Sequence, residues 1–337
     1  MKDVEGSAEG LDSSVIKDVE DGFGDGAKPG VPAVVDARDA ELPDIAIEPG
    51  GWELLPRPED ARFIAGFAGR SDDDVWVAGN RGPDDHHLSD YVWQWDGHAF
   101  GHDVMIGAGW IEPTGLCADA DAYWTVSSGD HVLMRDLVRV AGSVTGQGFR
   151  CATHAVFAMG TDGHWRRHGE RVDGWPAFDD GLSSIGTKWN DLYAAADDDV
   201  WVVGAAGAIA RWNGTSWRSI PSSVSTDFRK VVGSSSNDVY LQSAGGIMHW
   251  DGVEFRSLDL PSPGEYLVPV AVAGPGEAYF AEAPTSYSAP TWIARWDGKA
   301  WTRLSVPGSS SVESFEIGWV SPSYLWVGGI NVYRRRR

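Results

Sequence analysis

The side chains best suited to chemistry fall in two stretches. Asp84, Asp85, His86, His87 and Asp90 bring carboxylates and imidazoles close together, and Tyr287 stands between Ser286 and Ser288. Groups of this kind hydrogen-bond sugar hydroxyls or a peptide backbone. Trp110 and Tyr266 would add aromatic faces for a sugar ring or an apolar side chain. Asp84, Asp85, His86 and His87 together could also hold a metal ion of undetermined identity. The runs Asp72–Asp74 and Asp197–Asp199 offer the several oxygens that Ca²⁺ takes, but lack the Asp-x-Asp-x-Asp-Gly spacing of a calcium loop. No cofactor is expected, with calcium at these runs as the alternative. His98/His102 and His164/His168 are spaced i, i+4, which on a strand separates them by about 13 Å. No Gly-x-Ser-x-Gly elbow, His-Glu-x-x-His or phosphate loop occurs. No catalytic residue is therefore assigned.

The elements that must position these groups are legible as a repeat. An acidic residue, a short apolar-aromatic strand and often a glycine recur, as in Asp74-Val-Trp-Val-Ala-Gly79, Asp199-Val-Trp-Val-Val-Gly204 and Asp238-Val-Tyr-Leu241. The aromatic anchors are Trp76, Trp124, Phe157, Trp201, Tyr240, Tyr279 and Trp326, at intervals of 33–48 residues. Seven copies at about 40 residues is the period of propeller blades. A second signature follows: Trp95-Asp-Gly-x-x-Phe100, Trp212-Asn-Gly-x-x-Trp217, Trp250-Asp-Gly-x-x-Phe255 and Trp296-Asp-Gly-x-x-Trp301. Asp-Gly or Asn-Gly between alternating strands predicts a hairpin with a type I′ turn joining the third and fourth strands of a blade. Blades 2 and 3 depart from it, with Arg135-Asp136-Leu137 and Val172-Asp173-Gly174-Trp175.

The expected architecture is all-β: a seven-bladed propeller of four-stranded antiparallel blades over residues 51–333. The last copy ends after its third strand. Gly51-Trp-Glu-Leu-Leu-Pro56 resembles the fourth strands, so strand 51–56 should complete the C-terminal blade and close the ring, removing exposed sheet edges. Repeated aromatics at the anchors and at Trp95, Trp212, Trp250 and Trp296 read as packing between blades, and Asp74, Asp199 and Asp238 as acceptors of backbone hydrogen bonds in turns. This accounts for a tryptophan count of 18, equal to that of proline. Two connections between second and third strands are long, 79–90 in blade 1 and 282–291 in blade 6. In a ring both rise on the same face, with blade 7 between them, and inter-blade connections bring Trp110 and Tyr266 to that face. The alternative is that both are simply solvated, variable loops.

The repeats resemble those of secreted or lipid-anchored bacterial propeller proteins, mostly of uncharacterised function, across residues 51–333. Sialidase-type Asp-box propellers are more distant. Their Ser-x-Asp-x-Gly-x-x-Trp has a residue between Asp and Gly that the Trp-Asp-Gly copies lack, so no sialidase chemistry carries over.

Composition sets the remaining bounds. The chain has 337 residues, 42% of them hydrophobic, and a formal net charge of -22. That supports a large core and argues against duplex DNA or an anionic membrane as partner. Residues 1–50 hold 13 acidic and 4 basic side chains and one aromatic, Phe23. They read as a disordered acidic linker, of the kind that follows an export leader or lipid anchor in a longer precursor. A cytoplasmic protein with a ragged N-terminus is the alternative. Residues 334–337 read as a basic tail. Cys117 and Cys151 fall near inner strands of adjacent blades. A disulfide is open to them in an oxidising compartment, but two buried free thiols are favoured. The functional expectation is a monomeric, non-catalytic binding module, extracellular, periplasmic or on the outer bacterial surface. Its glycan or protein ligand would lie on the face bearing 79–90 and 282–291. The alternatives are a polysaccharide-acting hydrolase or lyase, and an assembly scaffold.

Overall fold

Strands dominate because apolar and polar residues alternate with a period of two, and because central strands are apolar throughout. Asp199–Gly204 and Asp238–Ser243 are buried at every position, as befits strands flanked by two others and covered on both faces. The computed structural model describes residues 46–48, 51–83, 88–108, 115–126, 132–143, 149–159, 164–169, 178, 181–186, 188–261, 266–282, 292–307 and 317–337. They form seven sheets in which strand order follows chain order except where two N-terminal strands join the sixth and seventh, with no α-helix among the described residues. The chain is a seven-bladed β-propeller.

Blades 1, 2, 4 and 5 each show four antiparallel strands, and blade 3 shows three among the described residues. In blade 3 the Phe178 N–H donates to Trp165 O (2.7 Å) where a fourth strand would pair. The ring closes as expected. Trp52–Leu54 pairs antiparallel with Val332–Arg336 and supplies the outer strand of blade 7.

Packing confirms closure independently. Seven apolar clusters each join two neighbouring sheets, one at every junction of the ring including that between blades 7 and 1. The anchors fill these junctions: Phe157, Trp201, Tyr240 and Trp326 are wholly buried, and Trp95 meets Trp326 edge-on across the closing junction at 6.2 Å. Each such ring buries a large apolar area at a contact only a wedge-shaped side-chain layer can fill.

Three details differ from expectation. First, Asp96, Asn213, Asp251 and Asp297 do not form type I′ turns. Only the following glycines have positive φ (+96°, +87°, +93° and +88°), and each connection is four residues long. The Asp or Asn side chain instead accepts the N–H groups two and three residues on, at 2.8–3.1 Å. The two-residue turn with positive φ at both positions occurs in blade 2, at Asp136-Leu137.

Second, Asp74, Asp199 and Asp238 bind side chains of the adjoining third strand, and Asp238 also accepts the turn N–H of Gly276 at 3.5 Å. Gln94 donates to Asp74 (2.9 Å), Arg211 clamps Asp199 with two bonds (2.7 and 2.8 Å), and His249 contacts Asp238 (2.8 Å). The same third-strand position lies opposite the anchor in every blade, and holds Gln94, Arg135, Arg167, Arg211, His249, Arg295 or Arg334. Arg211 sits over Trp201 at 4.7 Å and His249 stacks on Tyr240 at 4.3 Å. A cation over an aromatic face is worth about 0.5–2 kcal/mol. The Asp runs are likewise structural. Asp72 accepts Ser321 and Ser323 of blade 7, and Asp197 accepts the N–H of His154 in blade 3.

Third, two segments outside the expected propeller bounds of 51–333 are strands of its blades, while residues 1–45 and 49–50 of the expected linker lie outside the described residues. Ala46–Glu48 pairs parallel with Trp301–Ser305 as a fifth strand of blade 6. Arg334–Arg336 continue the third strand of blade 7. Arg334 donates to Glu53 (2.7 Å) and lies over Tyr324 at 4.6 Å, and Arg337 pairs with Glu277 at 3.1 Å. Cys117 and Cys151, for which free thiols were favoured, are bridged, their Cα atoms 5.6 Å apart across the junction of blades 2 and 3.

Candidate functional site

The face carrying inter-blade connections and second-to-third-strand connections holds two concave features. The first lies at the junction of blades 7 and 1. Arg57–Arg62, Arg81–Pro83, Ser89 and Tyr91 line an open cleft of about 990 Å³. It forms where the connection from the closing strand enters the first inner strand, Ala61–Ser71, beside the end of Asp74–Arg81. Arg62 fixes one wall by donating to Gly82 O (3.2 Å) and Pro83 O (2.7 Å), and Arg57 donates to Arg62 O (3.1 Å). On the other wall Arg81 pairs with Asp103 and Asp60 and lies over Tyr91 at 5.3 Å, while Tyr91 stacks on Trp93. The cleft therefore presents both charge signs and an aromatic edge on a braced backbone.

The second feature is the central channel. A cavity of about 450 Å³ is lined by inner-strand residues of all seven blades, among them Phe67, Leu116, Arg150, Asp191, Arg229, Lys230 and Val270. A further 290 Å³ lies around Tyr193, Gly233 and Trp319. Arg150 pairs with Asp191 at 3.2 Å, and Asp191 also accepts the Val231 N–H at 3.0 Å.

The predicted site residues divide as follows. Asp84, Asp85, His86, His87, Trp110 and Tyr287 lie outside the described residues. Asp90 is wholly buried and accepts a hydrogen bond from Asn80 (2.9 Å), so it braces the base of its connection from within. Tyr266 is 37% exposed, and its hydroxyl accepts a hydrogen bond from Arg229 (3.3 Å). Asp90 in blade 1 and Tyr266 at the entry to blade 6 are not brought together. Arg57, Arg62, Arg81, Tyr91, Arg150, Arg229 and Lys230 escaped sequence reasoning. The signal for the last three was cations opening inner strands of an acidic chain.

Among the described residues no group of three or more His, Cys, Asp or Glu converges as a metal site. Among the described residues the carboxylates with displaced pKa values are all shifted down. Backbone N–H groups do this for Asp96, Asp251 and Asp297. At Asp238 burial opposes the charge, but hydrogen bonds from His249 and Ser234 outweigh it. Hydrogen bonds likewise overcome burial at Asp72 and Glu277. A general acid near neutral pH needs the opposite shift.

Fold and faces thus define a β-propeller with two concavities on one face. No protein-family model and no curated protein matches the sequence. Solved structures do. A structure of YCF48 bound to D1 peptide is 13% identical, with a TM-score of 0.59 over 87% of this chain and 97% of that one. YCF48 from Cyanidioschyzon merolae is 14% identical, with a TM-score of 0.60 over 86% and 99%. The extracellular domain of the putative hybrid two component system BT4673 from B. thetaiotaomicron is 11% identical, with a TM-score of 0.62 over 85% of this chain and 40% of that one. At these identities the likeness is one of fold.

Proposed function

We propose that this protein is a non-catalytic binding module that engages a protein partner through an extended segment laid in the blade 7–blade 1 cleft. The observation that carries this reading is the cleft itself. It is open, with a volume of about 990 Å³, is braced by Arg62 on backbone carbonyls, and presents Arg57, Glu59, Asp60, Arg81 and Tyr91. Alternating charge signs and an aromatic edge suit the mixed chemistry of a peptide better than the hydroxyl-only surface of a neutral glycan. A peptide-bound structure of YCF48 on a similar fold supports it. Arg81–Pro83 and Ser89, which belong to the 79–90 connection, line the cleft. The Cys117–Cys151 bridge favours an oxidising compartment, as does the extracellular domain among the similar structures. No helix among the described residues is long and apolar enough to cross a membrane.

The test is site-directed photocrosslinking in native extract or on cells. A crosslinker at Ser89 should capture one defined protein, and Arg81→Glu should abolish capture. A crosslinker at Val253, on the opposite face, should capture none. Equal capture from both faces, or capture unaffected by Arg81→Glu, refutes the assignment.

A further inference from the structure

The channel mouth is chemically two-sided. Blades 3, 4 and 5 contribute Arg150, Asn190, Asp191, Arg229 and Lys230 to its wall. The facing arc, from blades 6, 7, 1 and 2, is Pro269, Val270, Ile317, Phe67 and Leu116 with intervening small residues. Arg150 and Asp191 neutralise each other. Arg229 and Lys230 have no carboxylate partner among the described residues. Two such cations therefore stand on one side of a cavity in a chain of net charge -22.

Backbone geometry makes this arrangement. Adjacent residues of a regular strand point to opposite faces, so Arg229 and Lys230 should not both line the channel. The inner strand Phe228–Ser235 breaks register between Phe228 and Lys230, leaving Arg229 unpaired. The inner strand of blade 4 breaks between Trp189 and Asp191, and that of blade 6 between Pro269 and Ala271. A bulge of this kind re-aims a side chain, and bulges concentrate at functional rims. In these three consecutive blades the extra residues Asn190, Arg229 and Val270 line the cavity, each beside a neighbour that also does, Asp191, Lys230 and Pro269.

We infer that the channel mouth binds a small organic anion in which a carboxylate is joined to an apolar body. The carboxylate accepts hydrogen bonds from Arg229 and Lys230, with Asn190 as a neutral donor beside them. The apolar body lies against Val270, Ile317, Phe67 and Leu116. A cavity of about 450 Å³ falls in the range that holds a small molecule. Tyr266 orients Arg229 by accepting its hydrogen bond, which gives this residue a positioning role. The site lies in the channel, so occupancy of the blade 1 cleft is not required for it.

Calorimetric titration of the full chain with octanoate, octanol and acetate tests the inference. Octanoate should bind at millimolar concentration or better, and both octanol, without charge, and acetate, without an apolar body, should bind at least about tenfold more weakly. Arg229→Ala/Lys230→Ala should weaken octanoate by at least about tenfold with an unchanged thermal midpoint, and Lys230→Gln should give an intermediate loss. Absence of octanoate binding, octanol binding as tight as octanoate, or equal affinity in the double variant overturns it.

Discussion

Removing the Cys117–Cys151 bridge should destabilise the ring by a predictable amount. The two residues are 34 apart in sequence, and each precedes the anchor strand of its blade. In the chain-entropy account, a closed loop of that length contributes about 3.8 kcal/mol by restricting the unfolded chain. The location strengthens the expectation. Among the described residues the cluster joining blades 2 and 3 has only Trp124 and Phe149 as large buried side chains, with Ala122, Val126, Val156 and Ala158 around them. The junction of blades 7 and 1 packs Phe67, Trp93, Trp95 and Trp326. Among the described residues a covalent tie thus stands at a junction with less aromatic packing than the closing one. For a domain of this size 3.8 kcal/mol corresponds to a fall in midpoint of about 7 °C. The assay is thermal and urea unfolding of the oxidised protein, the reduced protein and Cys117→Ala/Cys151→Ala. The last two should coincide, and the urea slope should rise as the released chain exposes more surface. Unchanged midpoints on reduction, or two reactive thiols in the native unreduced protein, would refute the reasoning.

Two further outcomes follow from local geometry. Gly252→Ala should cost about 1–3 kcal/mol, because its φ is +93° and a Cβ there would stand 2.9 Å from Asn237; Gly101→Ala, with open space around it, should be near neutral by the same unfolding measurement. Asp238 is held below the ordinary value of 3.8, so the unfolded chain takes up its proton more readily; its stabilisation is present above that value and lost as pH falls through the lowered one. Asp238→Asn should therefore be less stable at neutral pH and show a flatter decline between about pH 4 and 2, and an unaltered acid limb would exclude this role.

How far sequence alone reached varied with the physical range of the interaction. The blade period was legible because each second strand needs a large ring to fill the wedge beside it, and that demand recurs along the chain as Trp76, Trp201, Tyr240 and their counterparts. Closure was legible because Gly51–Pro56 carries the pattern of a fourth strand without a third before it. The third-strand partners Gln94, Arg211, His249 and Arg295 were also present in the letters, immediately before Trp-Asp-Gly or Trp-Asn-Gly. They were overlooked because cross-strand register decides what they face. The candidate site was less accessible. Asp90 looked like a ligand contact from its composition and its neighbours, yet burial against Asn80 turns it inward, and Tyr266 acts on Arg229 rather than beside residues 79–90.

What the sequence determined by itself is the repeating unit and the number of times it must be stacked, since both rest on contacts within one blade or between consecutive ones. Only the tertiary structure decided that Cys117 reaches Cys151, that Asp72 ties blade 1 to blade 7, and that Arg229 and Lys230 share a wall facing Val270 and Phe67. Those pairings depend on small register breaks and on the curvature of a closed ring. Neither leaves a periodic trace in the order of residues.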